Sequence, residues 1–367
     1  MTGDFIKAEK IVALNNPVIN TGIHISNILV VGIGSYIICT TVTGITDVDG
    51  KISIGFGKLS IGQMSSLLTY GIQILANVMM ISMIMVMLVM SIESIRRIGE
   101  VLEEEPTIKN PENPIMEIES GSIDFNNVNF KYAENAEKYT LENLNIHIKS
   151  GQFIGILGST GSGKTSLVNL ISRLYDVTEG SVEVAGHDVR EYDLVKLRDS
   201  VAVVLQKNVL FSGTIESNLL WGDKEATEEE MWKALKIAQA DEIVRAKEEQ
   251  LQSKVEQGGA NFSGGQKQRL CIARAILKKP KILILDDSTS AVDTKTDHLI
   301  RKALKEDLPE MTKIVIAQRI SSIEGADQII IMDDGRINAI GTHEELLKTN
   351  EIYQEVYNTQ NGMGGNK

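Results

Sequence analysis

Two long uncharged stretches near the N-terminus set the first part of the chain apart from the rest. No Asp, Glu, Lys or Arg occurs in residues 11–46 or in residues 59–92. Because a helix needs about 20 apolar residues to cross a bilayer, each stretch is long enough for a membrane span. The pattern predicts two transmembrane helices, at about 17–45 and 62–92. The alternative is a pair of core helices in a soluble protein, which the length of the uncharged runs disfavours.

Further along the chain, short apolar runs with a strand-like pattern alternate with helical segments. The runs lie at 123–130, 153–157, 202–205, 282–285, 314–317 and 329–332. Such alternation is typical of an α/β domain with a largely parallel sheet. We therefore expect a partial transmembrane domain at 1–105, a proline-containing linker at 106–120, an α/β domain at 121–358 and a disordered tail at 359–367.

The charge distribution separates the same two parts. The 367-residue chain has a net charge of −12, but its first hundred residues carry as many positive as negative side chains. The acidic excess belongs to the second part, which argues against a nucleic acid as partner. Basic residues precede the first span and follow the second, so the positive-inside tendency places both ends in the cytoplasm. We expect a multi-pass protein of the cell membrane whose α/β domain is cytoplasmic.

A glycine-rich segment follows the strand-like run at 153–157 directly and leads into a helical run. The segment has the pattern of a Walker A phosphate-binding loop. Its position between a strand and a helix is the context that confirms this motif. Lys164 is expected to reach the β- and γ-phosphates of a nucleotide, and the Thr165 hydroxyl to ligate Mg²⁺. The candidate nucleotide-binding residues are Gly158, Ser159, Thr160, Gly161, Ser162, Gly163, Lys164, Thr165 and Ser166.

A second apolar run, 282–285, ends in two acids and resembles a Walker B strand. Ligands gather at the carboxyl ends of such strands. Asp286 is expected to hold Mg²⁺ through water. Asp287 is expected to face the water that attacks the γ-phosphate.

The segment Asn261–Arg269 makes the interpretation specific to one family, since its Ser-Gly-Gly-Gln core resembles the signature motif of ATP-binding cassette (ABC) proteins. From the residues alone, Ser263 is a good N-cap for the helix that follows. The two glycines after it expose backbone amides at the positive end of that helix. The resemblance implies that ATP and Mg²⁺ are the cofactors and that the signature binds ATP held by a partner. These signature residues are Ser263, Gly264, Gly265 and Gln266.

Other positions follow the order of ABC motifs. The resemblance implies that Tyr132 stacks on adenine and that Ser290–Asp293 form the D-loop. It also implies that Gln206 is the Q-loop residue, which ligates Mg²⁺ and belongs with Asp287 and Gln318 to the catalytic residues. The stacking residue, the D-loop and the Q-loop residue each have a plainer alternative: a half-buried aromatic residue, a helix cap and a surface amide.

Two positions depart from the family pattern. Asp287 stands where active cassettes have Glu, and Gln318 stands where they have a switch-loop His. An Asp carboxylate is about 1 Å less extended than that of Glu, and misplacement on that scale can cost about 10²-fold in rate. Gln318 donates hydrogen bonds but carries neither a proton nor a positive charge. With an intact signature, this combination resembles the slow-site subunit of heterodimeric multidrug-type exporters.

The expected function is therefore that of an ATP-driven ABC exporter subunit. Two membrane helices followed by a connector resemble the last two of six exporter helices, so we expect the first four to come from a longer gene product or a separate polypeptide. The expected partners are a second half-transporter, membrane lipid and a small hydrophobic cargo, with drug, lipid and peptide left open. The alternatives are a non-transporting regulatory or assembly subunit and an inactive fragment.

Overall fold

A computed structural model describes residues 2–48, 51–287 and 292–362 of the chain. The chain divides into two compact units, Met1–Glu105 and Pro106–Lys367.

Two long helices and a hairpin make up the first unit. The elements are α1 (Thr2–Thr41), β1 (Val42–Val48), β2 (Lys51–Phe56) and α2 (Ile61–Glu103). The strands pair antiparallel, with Val48 opposite Lys51. The first helix was expected to continue to about residue 45, but it ends at Thr41 because the chain enters the hairpin there. A β-hairpin was not predicted.

The helices of the first unit expose their apolar side chains. Within the described residues, Pro17–Thr41 and Ile61–Glu103 are long and apolar enough to cross a membrane. None of the residues of α2 is buried, and Ile28 and Met83 expose 71% and 65% of their surface. Core helices of a soluble protein would be covered, so the exposure argues against that alternative. At 1.5 Å per residue α2 is about 65 Å long and exceeds a hydrocarbon core of about 30 Å.

The second unit alternates strands and helices. Its strands are β3 (Ile123–Phe130), β4 (Leu141–Ile148), β5 (Phe153–Gly158), β6 (Glu179–Val184), β7 (His187–Asp188), β8 (Val201–Val204), β9 (Gly213–Thr214), β10 (Lys254–Val255), β11 (Ile282–Asp286), β12 (Thr312–Ile316), β13 (Gln328–Asp333) and β14 (Arg336–Gly341). Its helices are α3 (Lys164–Ile171), α4 (Leu194–Ser200), α5 (Ile215–Leu219), α6 (Glu228–Ile237), α7 (Asp241–Arg245), α8 (Gly264–Leu277), α9 (Thr294–Asp307), α10 (His343–Thr349) and α11 (Glu351–Gln360).

A largely parallel sheet forms the centre of this unit, as predicted. Its strand order is β14-β13-β5-β12-β11-β8. Among the described strand pairs of this sheet, only β13–β14 is antiparallel. A second, antiparallel sheet has the order β4-β3-β6-β7. The sequence pattern did not predict this second sheet.

The central sheet is buried on both faces, and its side chains alternate between two apolar clusters. Ile282 and Ile284 of β11 pack into the cluster that includes the antiparallel sheet and α3. Leu283 and Leu285 pack into the other cluster, with α6, α8 and α9. This burial explains why the central strands are continuous apolar runs rather than alternating ones.

Both ends of the second unit are more ordered than the sequence suggested. In the segment 106–120, which was expected to be a linker, Ile115 bridges Tyr192, and its amide donates to Glu191 O at 2.9 Å. At the other end, α11 continues through Gln360, so the prediction that disorder starts at 359 is wrong for its first residues. Residues 363–367 lie outside the described part of the chain.

Candidate functional site

The strand order of the central sheet brings the predicted motifs to one edge. The glycine-rich loop follows β5, Gln318 follows β12, Asp286 ends β11 and Gln206 follows β8. These four strands are parallel neighbours in the order β5-β12-β11-β8, so their carboxyl ends lie side by side. Ligands bind at this edge of parallel sheets.

The loop from Gly158 to Thr165 has the backbone of a phosphate-binding cradle. Gly161 and Gly163 have φ angles of +87° and +94°, which side-chain-bearing residues rarely adopt. A Cβ on Gly163 would lie 2.6 Å from Leu141 Cδ2. Glycine is required here both for the left-handed turn and for the close approach of Leu141. The loop ends at the N-terminus of α3, where free backbone amides favour an anion.

Lys164 is held over this loop. Its Nζ donates to the carbonyl oxygens of Gly158 and Ser159, at 2.9 and 2.6 Å, and to Ser162 Oγ at 3.3 Å. Burial lowers the pKa of Lys164, and the charges of Asp286 and Asp287 partly offset this effect. The loop therefore carries a positive charge at the place where a triphosphate would bind.

Asp286 and Thr165 supply oxygen donors next to the loop. The Thr165 side chain lies beside the Asp286 carboxylate. Burial raises the pKa of Asp286, the charge of Asp287 adds to this, and Lys164 opposes it. Among the described residues there is no group of three or more His, Cys, Asp or Glu that would hold a metal alone. One carboxylate and one hydroxyl suit Mg²⁺, which takes its other ligands from phosphates and water.

Asp287 is the meeting point of the predicted catalytic residues. Its Oδ2 accepts a hydrogen bond from Gln206 Nε2 at 3.1 Å and another from Gln318 Nε2 at 3.0 Å. The backbone of Asp287 has a φ of +45°, a region that Asp tolerates better than most residues. Two amides from distant parts of the sequence thus donate to the same carboxylate oxygen of Asp287.

The surroundings of Asp287 act on its pKa in opposite directions. Burial raises the pKa, while the Gln206 hydrogen bond and the charges of Arg319 and Lys164 lower it, and the net direction is upward. Arg319 follows Gln318 directly in the sequence. Its effect on Asp287 could not be read from the motif spacing, since it depends on the turn after β12.

Tyr132 is half exposed and stands on an aromatic cluster. Its ring centroid lies 4.8 Å from that of Phe130 and 4.9 Å from that of Tyr175, both in edge-on geometry. Its hydroxyl lies 2.8 Å from Ser166 Oγ. The contact shows a structural role for Ser166, which the sequence placed with the nucleotide-binding residues. One ring face of Tyr132 can receive a planar base.

The signature segment forms a helix N-terminus, as the sequence predicted. Ser263 caps α8: its Oγ accepts from Gln266 N at 3.3 Å, and Gln266 Oε1 accepts from Ser263 N at 3.0 Å. Gly264 and Gly265 occupy the first two helical positions. Ser263 and Gly264 are exposed, so this helix end is accessible to another molecule.

The D-loop is only partly described. Ser290 and Ala291 lie outside the described residues, and Val292 is buried. Asp293 caps α9, with Oδ1 accepting from Thr296 N at 3.0 Å. The predicted alternative, a helix cap, is therefore confirmed for Asp293.

The parallel sheet with this loop and paired acids at its edge defines a P-loop nucleotide-binding domain. The model of the ABC transporter family matches residues 141–290. The chain therefore carries the ATP-binding domain of an ABC transporter, fused to an N-terminal region with two candidate membrane helices.

Relatives and solved structures agree with this assignment. An "Uncharacterized ABC transporter ATP-binding protein" of Mycobacterium tuberculosis is 41% identical over 83% of this chain and 53% of its own length. A "Putative multidrug export ATP-binding/permease protein" of Staphylococcus aureus is 36% identical over 94% of this chain and 57% of its own length. The structure of a bacterial Atm1-family ABC exporter with ATP bound matches 98% of this chain and 60% of its own, with a TM-score of 0.78 and 28% identity. This chain spans a little over half the length of these proteins.

Proposed function

We propose that the chain is a subunit of an ATP-driven ABC exporter whose own Walker site binds MgATP and hydrolyses it slowly. The phosphate-binding loop, Lys164 and the Thr165–Asp286 pair hold the nucleotide and Mg²⁺. The α/β domain lies in the cytoplasm, and the N-terminal helices belong to a multi-pass membrane domain. The cargo is a hydrophobic molecule, in keeping with the multidrug export named for the S. aureus relative.

The arrangement around Asp287 is the observation that carries the slow-site part of the proposal. A general base must receive a proton from the attacking water, and its carboxylate must reach that water. Asp287 is one methylene shorter than the usual Glu, and its Oδ2 already accepts two amide hydrogen bonds. Gln318 supplies no positive charge near the γ-phosphate. These features keep the site suited to holding ATP and weaken its hydrolysis.

The signature end of α8 supports a role on a partner subunit. It exposes amides and the capping serine to solvent. A helix N-terminus favours a phosphate group. We propose that a second half-transporter, different from this chain, supplies the complete catalytic residues, while Ser263–Gln266 close over its ATP. The partner would then perform most of the hydrolysis.

Nucleotide trapping tests the proposal with this chain alone. The purified full chain in lipid nanodiscs is loaded with radiolabelled MgATP, and the bound nucleotide is separated into ATP and ADP over time. We expect saturable binding, with the label still in ATP after many minutes, and loss of binding in Lys164→Ala. Rapid conversion to ADP would contradict the slow site, and no saturable binding would contradict the whole proposal.

A further inference from the structure

The last residue of α11, Gln360, makes two hydrogen bonds to the segment that carries Gln318. Gln360 Nε2 donates to the carbonyl oxygen of Gln318 at 2.7 Å, and Gln360 Oε1 accepts from the Ile320 amide at 2.9 Å. One side-chain amide thus satisfies a backbone acceptor and a backbone donor two residues apart. This is the pairing that a neighbouring strand would offer, supplied by a side chain from 40 residues downstream.

Packing does not hold the Gln318 side chain in place. Gln318 and Arg319 are exposed, whereas Ile320 is buried. The segment borders a cavity of about 540 Å³ that is also lined by the end of α11. Asp287 lines the same cavity. Because Gln318 is exposed, the backbone direction at this residue decides whether its amide points at Asp287 or away from it.

Gln360 can hold this segment only if α11 is itself fixed in the fold. Asn350 caps the helix by accepting from Tyr353 N at 2.9 Å. Tyr353 is fully buried, and its hydroxyl lies 2.7 Å from His343 Nδ1 on α10. Gln360 therefore projects from a fixed support, and its two hydrogen bonds fix the backbone of residues 318–320.

We propose that Gln360 is a positioning residue of the ATP site, one that sets the direction of the Gln318 amide. The inference rests on the proposed function, and it adds that the Gln318 amide contacts the γ-phosphate of the bound nucleotide. Gln360 touches neither the nucleotide-binding loop nor Asp287 among the hydrogen bonds of the described residues. It acts through the backbone of residues 318–320.

Gln354 provides the matched control. It lies on the same helix, and its Nε2 donates to the carbonyl oxygen of Leu347 at 2.9 Å. Gln354→Leu removes a comparable amide hydrogen bond from α11 without touching the segment 318–320. Gln360→Glu is the finer variant, because it keeps the acceptor for the Ile320 amide and places a carboxylate against the Gln318 carbonyl.

The test compares nucleotides that differ in the γ-phosphate. Dissociation constants of the full chain for a non-hydrolysable ATP analogue and for ADP are measured with Mg²⁺. We expect Gln360→Leu and Gln360→Glu to weaken analogue binding about three- to tenfold, the range of one ordinary hydrogen bond, and to leave ADP binding unchanged. Gln354→Leu should change neither. Hydrogen exchange of the Ile320 amide should accelerate in Gln360→Leu alone.

A Gln318→Ala background separates positioning from general loosening of the fold. There, Gln360→Leu should add no further loss of analogue binding. Equal weakening of the analogue and ADP, an undiminished effect in the Gln318→Ala background, or no effect at all would overturn the inference. A wild-type chain that binds neither nucleotide would overturn the proposed function, and this inference with it.

Discussion

The side-chain amide of Gln318 donates a hydrogen bond to Oδ2 of Asp287 across 3.0 Å. These are the two positions at which the sequence departs from the usual ABC pattern, and the fold places them in direct contact. The short acid and the neutral amide therefore form one unit. The gain in activity from replacing both should therefore differ from the sum of the two single gains, since the effects of contacting residues are not additive.

The signature serine is predicted to have two separable roles. Ser263→Ala removes the cap of α8 and should lower the stability of the chain by about 1 kcal/mol. Thr227→Ala is the matched control, because Thr227 makes the same capping box with Glu230 on α6, away from the site. Thermal unfolding should shift similarly in both variants. Only Ser263→Ala should reduce ATP hydrolysis by the assembly with the partner. An equal loss of hydrolysis in Thr227→Ala would show that Ser263 acts only as a helix cap.

Tyr132 should bind adenine through its ring rather than its hydroxyl. Stacking of a base on an aromatic side chain is worth about 1–3 kcal/mol, so Tyr132→Ala should weaken ATP binding roughly five- to 150-fold. Tyr132→Phe keeps the ring and loses only the contact with Ser166. Equilibrium binding of a fluorescent ATP derivative measures both variants. If Phe weakens binding as much as Ala, the stacking role is wrong.

A buried lysine should make the stability of the α/β domain depend on pH. Lys313 on β12 exposes 1% of its surface, and burial lowers its pKa from 10.5 to about 8. Between these values the unfolded chain binds more protons than the folded one, so stability from this group rises with pH through that window. Lys313→Met should stabilise the chain at pH 7 by up to about 3 kcal/mol, and the gain should shrink toward pH 10.

Lys302→Met is the control for this prediction, since Lys302 is exposed on α9. Thermal unfolding at pH 7, 8.5 and 10 is compared for both variants and the wild type. Lys302→Met should cause a small change that is similar at every pH. A stabilisation by Lys313→Met that stays constant from pH 7 to 10 would contradict the burial explanation.

A buried ion pair within α9 accepts a hydrogen bond from the turn after Gln318. Asp297 Oδ2 lies 3.0 Å from Arg301 Nη2 and accepts from Ser322 Oγ at 2.9 Å. Asp297→Ala leaves a buried guanidinium without its carboxylate and should cost about 3–5 kcal/mol, measured by denaturant unfolding. Asp297→Ala combined with Arg301→Met should cost clearly less. Equal costs for the single and double variants would show that the unpaired charge is not the cause.

The sequence predicted the central sheet well because its strands are buried on both faces and appear as continuous apolar runs. The predicted run 282–285 corresponds to β11, which is one residue longer. The predicted run 123–130 corresponds to β3, but the antiparallel sheet was missed because its partner strands β4, β6 and β7 were not among the predicted runs. The Ser263 cap and the capping boxes at Thr227 and Thr342 were predictable because they depend on residues three apart.

Contacts between distant segments could not be predicted in the same way. The motifs placed Gln206, Asp287 and Gln318 near one site, but not on one carboxylate oxygen. The role of Gln360 could not be predicted because its partners lie 42 and 40 residues away. They are also backbone atoms, which every residue type carries. The sequence instead assigned the end of α11 to a disordered tail.

The most direct test of the slow-site account restores both unusual positions at once. Single-turnover hydrolysis of MgATP is measured for the purified full chain and for Asp287→Glu/Gln318→His, each saturated with nucleotide. The account predicts that the double variant hydrolyses bound ATP at least about tenfold faster than the wild type, since a base displaced by about 1 Å can cost about 10²-fold. A double variant that is no faster, or a wild-type chain that already hydrolyses ATP rapidly, would contradict it.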